Sequence, residues 1–122
     1  MRLITFVGLI VSLGLLPSSA KALPIKRATL VGAWHTDVDN CEGDLTKLYS
    51  ANGQYGSDNE EGVWSLHGNK LIVTVTKSGE MGEEFTPLHP PQRIVLTIVR
   101  VGKRTRIERW NDGSIHRSYR CS

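Results

Sequence analysis

Motifs typical of enzymes are absent from this 122-residue sequence. It contains no serine-nucleophile signature, no phosphate-cradling glycine loop and no His-Glu-x-x-His pair, which excludes the common hydrolase, nucleotide-binding and zinc-peptidase patterns. The acidic pairs Glu60-Glu61 and Glu83-Glu84 lie in turn-like segments, where solvated carboxylates are expected. We therefore predict a protein that is not an enzyme and that uses no cofactor.

A long hydrophobic run is also missing. A membrane-spanning helix needs about 20 apolar residues, and the apolar run Leu3 to Leu16 is shorter. It follows Met1-Arg2 and leads to the small-residue site Ala20-Lys21-Ala22, the layout of a cleaved secretory signal. We expect residues 1–22 to be a signal peptide. Residues 23–122 would form one exported domain, periplasmic or secreted, with no transmembrane segment.

Cysteine is scarce, since Cys41 and Cys121 are the only two. Neither has another cysteine or a nearby histidine at metal-ligand spacing. His35 and His116 would be neighbours if the first and last strands paired, but no third ligand accompanies them, and we predict no metal site. In an exported chain an even number of cysteines favours a disulfide. Here it would join Cys41 to Cys121 and tie the last strand to the loop after the first.

Helical periodicity is lacking outside the expected signal peptide. Instead, short strand-like runs follow one another, mostly joined by tight turns such as Asn52-Gly53. The runs are Ala28–Thr36, Leu45–Ser50, Gln54–Ser57, Gly62–Leu66, Leu71–Thr76, Ile94–Val101, Thr105–Trp110 and Ser114–Cys121. This order predicts an all-β fold, a small up-and-down antiparallel barrel of about eight strands. Lys77–Arg93, with three prolines, is predicted to be a long loop that is either functional or mobile. The alternative is that it contains one irregular edge strand near Glu83–Thr86.

Charges of the two signs are unevenly distributed. Residues 23–92 carry 5 basic and 10 acidic residues, whereas residues 93–122 carry 8 basic and 2 acidic residues. Two interpretations are open: a basic binding face, or pairing of opposite charges when early and late strands become neighbours. We favour pairing, because the basic segment lacks the interleaved aromatic residues typical of nucleic-acid binding. We expect no nucleic-acid partner.

The first strand-like run carries a family resemblance. Gly32-Ala33-Trp34 resembles the Gly-x-Trp signature of the lipocalin and calycin superfamily, in which an arginine near the last strand packs over the tryptophan. Among Arg109, Arg117 and Arg120, Arg117 fits this role best by position, which would make Gly32, Trp34 and Arg117 structural residues. The wider pattern is similar to small exported bacterial lipocalin-like proteins; it consists of Trp34, Cys41, Asn52-Gly53, Gly62–Leu66 and Gly68–Leu71.

A second resemblance is to small periplasmic inhibitors of secreted metalloproteases. These are eight-stranded barrels that begin with a similar Leu-x-Gly-x-Trp stretch, here Leu30–Trp34, and use an N-terminal tail as a plug. The resemblance implies that Leu23–Arg27 would be the plug in this chain. The second cysteine lies at the C-terminus here and near the middle in that family.

The two resemblances lead to two functional hypotheses. The first is binding of a small apolar or amphipathic ligand by Trp34, Trp64, Phe85, Leu88 and Trp110. Side chains nearly fill the interior of small barrels, so the ligand would occupy only a modest barrel mouth. The second is inhibition of a secreted hydrolase through Leu23–Arg27 or the 77–93 loop. An interaction role in the cell envelope is a third possibility. In each case we expect a monomer.

Overall fold

Eight antiparallel strands follow one helical turn in the computed structural model, which describes residues 25–37, 41, 45–80 and 82–121. The elements are α1 (Arg27–Leu30), β1 (Gly32–His35), β2 (Lys47–Tyr49), β3 (Gln54–Gly56), β4 (Glu60–His67), β5 (Lys70–Ser78), β6 (Thr86–Val101), β7 (Thr105–Arg109) and β8 (Ile115–Cys121). Each strand pairs with the next, and β8 pairs with β1, so the sheet closes into a barrel. The predicted fold class is confirmed. The predicted signal peptide, residues 1–22, lies outside the described residues.

Alternation along the strands assigns side chains to the two sides of the barrel wall. On β5, Leu71, Val73 and Val75 are buried and the residues between them are only partly covered. Burying one such side chain stabilises the fold by about 1.5–3 kcal/mol. The apolar core comes from α1 and β1–β6 and consists of Leu30, Trp34, Tyr49, Tyr55, Trp64, Leu71, Val73, Val75, Leu96 and Ile98. None of the described helical segments is long and apolar enough to cross a bilayer.

The segment before β1 is a helical turn, so the prediction of a strand starting at Ala28 is wrong. The Thr29 amide donates to the Lys26 carbonyl at 3.0 Å. The Trp34 indole donates from Nε1 to the Leu30 carbonyl at 3.0 Å. The second bond crosses the boundary between α1 and β1, and periodicity within the sequence cannot reveal it.

The predicted tail Leu23–Arg27 is docked on the barrel in its described part. Ile25 packs against the core, and the guanidinium carbon of Arg27 lies 4.1 Å from the centroid of the Trp64 ring. A cation over an indole at this distance is attractive. Residues 25–27 therefore help α1 to cover one end of the barrel.

The strand β6 is longer than predicted. Thr86–Arg93 belongs to β6, so the prediction of a loop over Lys77–Arg93 is wrong for its second half. Val75 pairs with Gln92 and Lys77 with Pro87, which leaves extra residues on β6 as a bulge. Prolines are tolerated in a bulge because the ladder does not need every amide there.

Barrel closure brings the two cysteines together. Ala33 on β1 lies opposite Cys121 on β8. The Cys41–Cys121 disulfide has an S–S distance of 2.04 Å and a Cα–Cα distance of 5.4 Å, both within the usual range. The predicted disulfide is confirmed.

Trp34 lies at the seam where the barrel closes. It is opposite Arg120 on β8, whose guanidinium carbon is 4.3 Å from the centroid of the indole ring. Arg120 also donates to the carbonyls of Thr29, Val31 and Lys103, at 2.5, 2.6 and 2.9 Å. One guanidinium therefore joins α1, the entry to β1 and the turn between β6 and β7 around one indole.

Arg117 does not pack on Trp34, and that prediction is wrong. Alternation along β8 turns Arg117 outward, where it is exposed opposite Ile107, and Arg120 takes the place over the indole. Gly32 leaves room for this arginine: a Cβ at Gly32 would lie 2.6 Å from Arg120 Nη1, and the φ of Gly32 is +132°. Both observations explain a glycine two residues before the tryptophan.

Replacing both cysteines, as in Cys41→Ser with Cys121→Ser, should lower the free energy of unfolding by about 4 kcal/mol. The bond restricts the unfolded chain over a separation of 80 residues. Urea unfolding measures the loss, and reduction of the native protein with dithiothreitol should produce a similar one. An unchanged midpoint in both experiments would contradict this account.

Arg120→Met should cost about 2 kcal/mol, because it removes a cation–π contact and charged hydrogen bonds to three carbonyls. The matched variant Arg117→Met, at an exposed position on the same strand, should change stability by less than about 0.5 kcal/mol. Urea unfolding of both proteins provides the test. Equal losses would show that Arg120 has no special role at the seam.

Candidate functional site

The five side chains predicted to contact a ligand do not form one pocket. Trp34 and Trp64 are buried in the core, and Trp64 Nε1 donates to the Ser50 carbonyl at 2.9 Å. Both indoles are therefore used by the fold. Leu88 is partly buried against the same core.

Phe85 lies in a different place, beside a surface depression of about 310 Å3. The other residues that line this depression are Glu61, Lys77, Glu83 and Glu84. A lining dominated by charged groups does not favour an apolar ligand. A further depression, of about 490 Å3, lies beside α1 and is lined by Ala28, Thr29, Val101, Gly102, Lys103 and Arg120.

Trp110 is the predicted ligand residue that borders an apolar depression. Its indole is 39% exposed and lines about 250 Å3 of space together with Ile94, Val95, Leu96, Asn111 and Asp112. The depression exists because β7 pairs with β6 only from Thr97, which is opposite Arg109. In the described part of the chain, Ile94 and Leu96 therefore have no strand beside them on that edge. We call this depression the Trp110 gap.

Stacking and hydrogen bonds hold Trp110 in place. Its ring stacks on His116, with centroids 3.9 Å apart and planes inclined by 23°, and its Nε1 donates to Glu108 Oε1 at 3.4 Å. His116 Nε2 is 2.7 Å from Ser114 Oγ, and the Ser114 hydroxyl donates to Asp112 Oδ1 at 2.5 Å. Hydrogen bonds from the Ser114 side chain and amide hold the pKa of Asp112 below its usual range. Asp112 is therefore an ionised acceptor.

Asp112, Ser114 and His116 have the residue types of a hydrolytic triad but not its order of hydrogen bonds. In a triad, histidine accepts the serine proton. Here the serine hydroxyl donates to Asp112, so His116 is the donor to Ser114. The effect of the cluster is to orient the ring beneath Trp110.

Histidines do not gather into a metal centre. His35 is opposite Tyr119, and its Nδ1 accepts from the Asp37 amide at 2.8 Å, whereas His116 is opposite Glu108. Among the residues that the structure describes, no three or more His, Cys, Asp or Glu are placed to hold a metal ion.

Two charged side chains of β7 lie inside the barrel behind Trp110. Arg106 and Glu108 are 1% and 4% exposed, and Arg106 Nε is 3.2 Å from Glu108 Oε2. Arg106 Nη2 also donates to the Tyr49 hydroxyl at 3.4 Å. The guanidinium carbon lies 5.0 Å from the Trp34 ring centroid and 4.9 Å from that of Tyr49. The two opposite charges form a neutral pair against aromatic rings.

The hydrogen-bonding capacity of this pair is not fully used. Arg106 Nη1 is buried and has no hydrogen-bond partner within the described chain, whereas Arg106 Nε and Glu108 Oε2 face each other at 3.2 Å as an ion pair without hydrogen-bond geometry. Leaving such groups unmet costs several kcal/mol. Arg106 Nη1 is therefore a buried donor that the described chain leaves unpaired beside this ion pair.

Sequence reasoning missed Arg106 and Glu108 as site residues. The strand reads Thr105-Arg106-Ile107-Glu108-Arg109, so charged residues lie on both faces and alternation does not reveal which face is inward. A weak signal was available, because Arg106 and Glu108 have opposite charges two residues apart and therefore share one face.

Fold and site together define a class: a closed, eight-stranded, up-and-down β-barrel with an ion pair inside the wall and an apolar gap beside it. No protein-family model, curated protein or solved structure matches this chain. The resemblance to lipocalin-like proteins and to protease inhibitors therefore stays a prediction, whereas the barrel itself is confirmed.

Two buried tyrosines should make the protein unstable in alkali. Burial raises the pKa of Tyr49 and Tyr55, and for Tyr55 the negative charge that Tyr49 carries when ionised and the hydrogen bond to Glu60 raise the pKa further. The unfolded value is about 10, so the folded state keeps protons that the unfolded chain loses above that pH. The resulting stability is complete below about pH 10 and is lost as the pH rises.

The free energy of unfolding should fall by up to about 2.7 kcal/mol per pH unit above pH 10, about 1.4 for each tyrosine. Tyr49→Phe should halve this slope. Urea unfolding between pH 8 and 12, at about one-unit steps, measures it. Ultraviolet absorbance that shows both phenols ionising near pH 10 in the folded protein would contradict the expectation.

Proposed function

We propose that this protein is an exported, non-catalytic binding module that takes a small amphipathic ligand at the Trp110 gap. The observation that carries this proposal is the buried Arg106 Nη1, a donor without a hydrogen-bond partner in the described chain, beside the Arg106–Glu108 ion pair. Glu108 is joined to the rim of the gap by the hydrogen bond from Trp110 Nε1. An apolar surface at the entrance and a polar pair behind it match the two ends of an amphipathic molecule.

The volume of the gap limits the ligand. About 250 Å3 is below the roughly 300–1,000 Å3 of pockets that enclose a drug-sized molecule. The proposal is therefore that one end of the ligand enters, and that a longer apolar part extends along Ile94, Leu96 and the indole of Trp110. These side chains supply most of the apolar contact.

The charge of the pair selects the head group. Arg106 and Glu108 neutralise each other, so a charged head would enter without a counter-charge of its own and would lose its hydration. An uncharged head that both donates and accepts, such as an amide or a hydroxyl, can satisfy both partners. We therefore propose a ligand with a neutral polar head.

Export is part of the proposal. The Cys41–Cys121 disulfide is typical of proteins in oxidising compartments, and the apolar run near the N-terminus fits a secretory signal. Edman sequencing of the protein recovered from the producing cells would test the expected start near Leu23.

Decanamide should bind at least about tenfold more tightly than decanoate or decyltrimethylammonium. Its neutral amide can hydrogen-bond to both charged side chains, whereas each of the other heads would bring an additional charge into the site. Quenching of intrinsic tryptophan fluorescence measures the affinities. Glu108→Gln leaves Arg106 with a net positive charge and should reverse the preference in favour of decanoate.

Two variants serve as controls for this experiment. Glu61→Gln removes a carboxylate from a different depression and should leave the order of affinities unchanged. Trp110→Ala, at a partly exposed position, should weaken all probes. It removes the indole hydrogen bond to Glu108 but leaves both charges of the pair in place, and it keeps the proposal testable if Glu108→Gln fails to fold. Equal binding of the neutral and charged probes to the unmodified protein would overturn the proposal.

Inhibition of a secreted hydrolase is the second candidate. It is favoured by the exposed beginning of β6, where Pro87, Pro90 and Pro91 lie at the surface on a hairpin joined to β5. Inhibition through the tail Leu23–Arg27 has less support, because Arg27 is held over Trp64. Native mass spectrometry of the purified protein separates the two functions: a small co-purifying mass supports a carrier, and a stable hydrolase complex supports an inhibitor.

A further inference from the structure

The outer surface of β6, β7 and β8 carries a group of arginines. Arg109 lies beside Thr97 on β6, and Arg100 and Arg117 lie on either side of Ile107. Since paired residues point to the same side of a sheet, these side chains share the outer surface. Arg93 lies four residues before Thr97 on β6 and therefore on the same side of that strand. Arg93, Arg100, Arg109 and Arg117 are all exposed. We call these four residues the arginine face.

The charges of the arginine face are not neutralised by the described part of the chain. The one ion pair found there, Arg106 with Glu108, lies inside the barrel. The expectation that early acidic and late basic residues pair is therefore not met among these residues. Glu61, Glu83 and Glu84 instead line a depression beside β4 and β5. These three carboxylates therefore lie around a different depression, together with Lys77, and do not pair with the arginine face.

Aliphatic side chains lie between the arginines. Ile115 is 56% exposed and pairs with Arg109, and Val99, in the bulge of β6 next to Arg100, is 48% exposed. Ile107 is half-buried between Arg100 and Arg117. The surface thus alternates cationic and apolar groups on a rigid, three-stranded sheet.

We propose that the arginine face binds the surface of an anionic lipid bilayer. At such a surface, phosphate groups and the first acyl carbons lie within a few ångströms of each other. Guanidinium groups can therefore contact phosphates while the neighbouring aliphatic side chains contact acyl carbons. The partner is identified by this mixture of groups. The proposal does not depend on the ligand proposed for the Trp110 gap.

Lipid fits this surface better than nucleic acid does. Single strands are bound by aromatic side chains that stack on bases, and duplexes by an element that enters a groove. The arginine face has the aliphatic side chains of Ile107 and Ile115 at its centre, where a protein that binds single strands has aromatic side chains. The face lies on the convex wall of a barrel. Trp110 stands at its margin and is stacked on His116.

The loss of membrane affinity that each substitution causes can be estimated per residue. Each basic residue near an anionic membrane contributes about a fivefold increase in affinity. The double variant Arg100→Gln with Arg117→Gln should therefore bind about 25-fold more weakly. Ile115→Ser should weaken binding further while leaving the charge unchanged.

Co-sedimentation with vesicles tests the proposal. The exported protein recovered from the producing cells should bind phosphatidylcholine vesicles that contain phosphatidylglycerol and should not bind pure phosphatidylcholine, and raising the salt to about 0.5 M should release it. The matched control is Lys26→Gln with Lys77→Gln, which removes the same charge from exposed positions off the arginine face and should keep most of the binding.

Three results would overturn the proposal. The first is equal binding to neutral and anionic vesicles. The second is an equal loss in the control and in the double arginine variant, which would indicate an effect of net charge alone. The third is tighter binding of a duplex DNA fragment than of the vesicles, which would assign the face to nucleic acid. All of the substituted side chains are exposed or half-exposed, and a urea melt of each variant verifies that the barrel is folded.

Discussion

The barrel depends on one indole that lies beneath two cations. Arg120 holds Trp34 from β8 at 4.3 Å and Arg106 from β7 at 5.0 Å, while the indole donates to the Leu30 carbonyl of α1. A fully buried tryptophan contributes a large apolar area, and the cations supply directional contacts that aliphatic packing lacks. The first strand, the last two strands and the helical turn therefore meet at this ring, and the barrel closes there.

Placing Arg106 inside the barrel has a consequence for the rest of β7. A buried guanidinium needs a counter-charge, and Glu108, two residues further along the same face, provides it. Glu108 in turn accepts from Trp110, which is stacked on His116. A continuous series of contacts thus runs from the seam at Trp34 to the rim of the gap. A change in the polar pair is expected to affect both the stability of the seam and the entrance.

Particular elements show how far the sequence could be interpreted. Alternation on β5 and the tight turns around it were enough to predict most of the strands and the closed meander, and the even number of cysteines in an expected exported chain predicted the disulfide. The α1 turn was missed because its bonds to Lys26 and Trp34 outweigh the strand preference of its residues. The start of β6 was missed because it contains three prolines. Pro90 and Pro91 sit in a bulge, where sequence rules for regular strands do not apply, and Pro87 pairs with Lys77. For the site, Trp110 was predicted, but its partners Arg106 and Glu108 were not.

The sequence by itself determined the all-β class, the order of the strands and the Cys41–Cys121 pairing, because these follow from local periodicity, turn residues and the two cysteines. The resemblance to a Gly-x-Trp signature is what indicated Trp34. Tertiary structure decided which arginine covers the indole, which charges are buried and which form an outer face. Those outcomes depend on register, since a shift of one residue in an antiparallel pair moves every side chain to the other side of the wall. Register is a relation between distant strands, and no single stretch of the chain contains it.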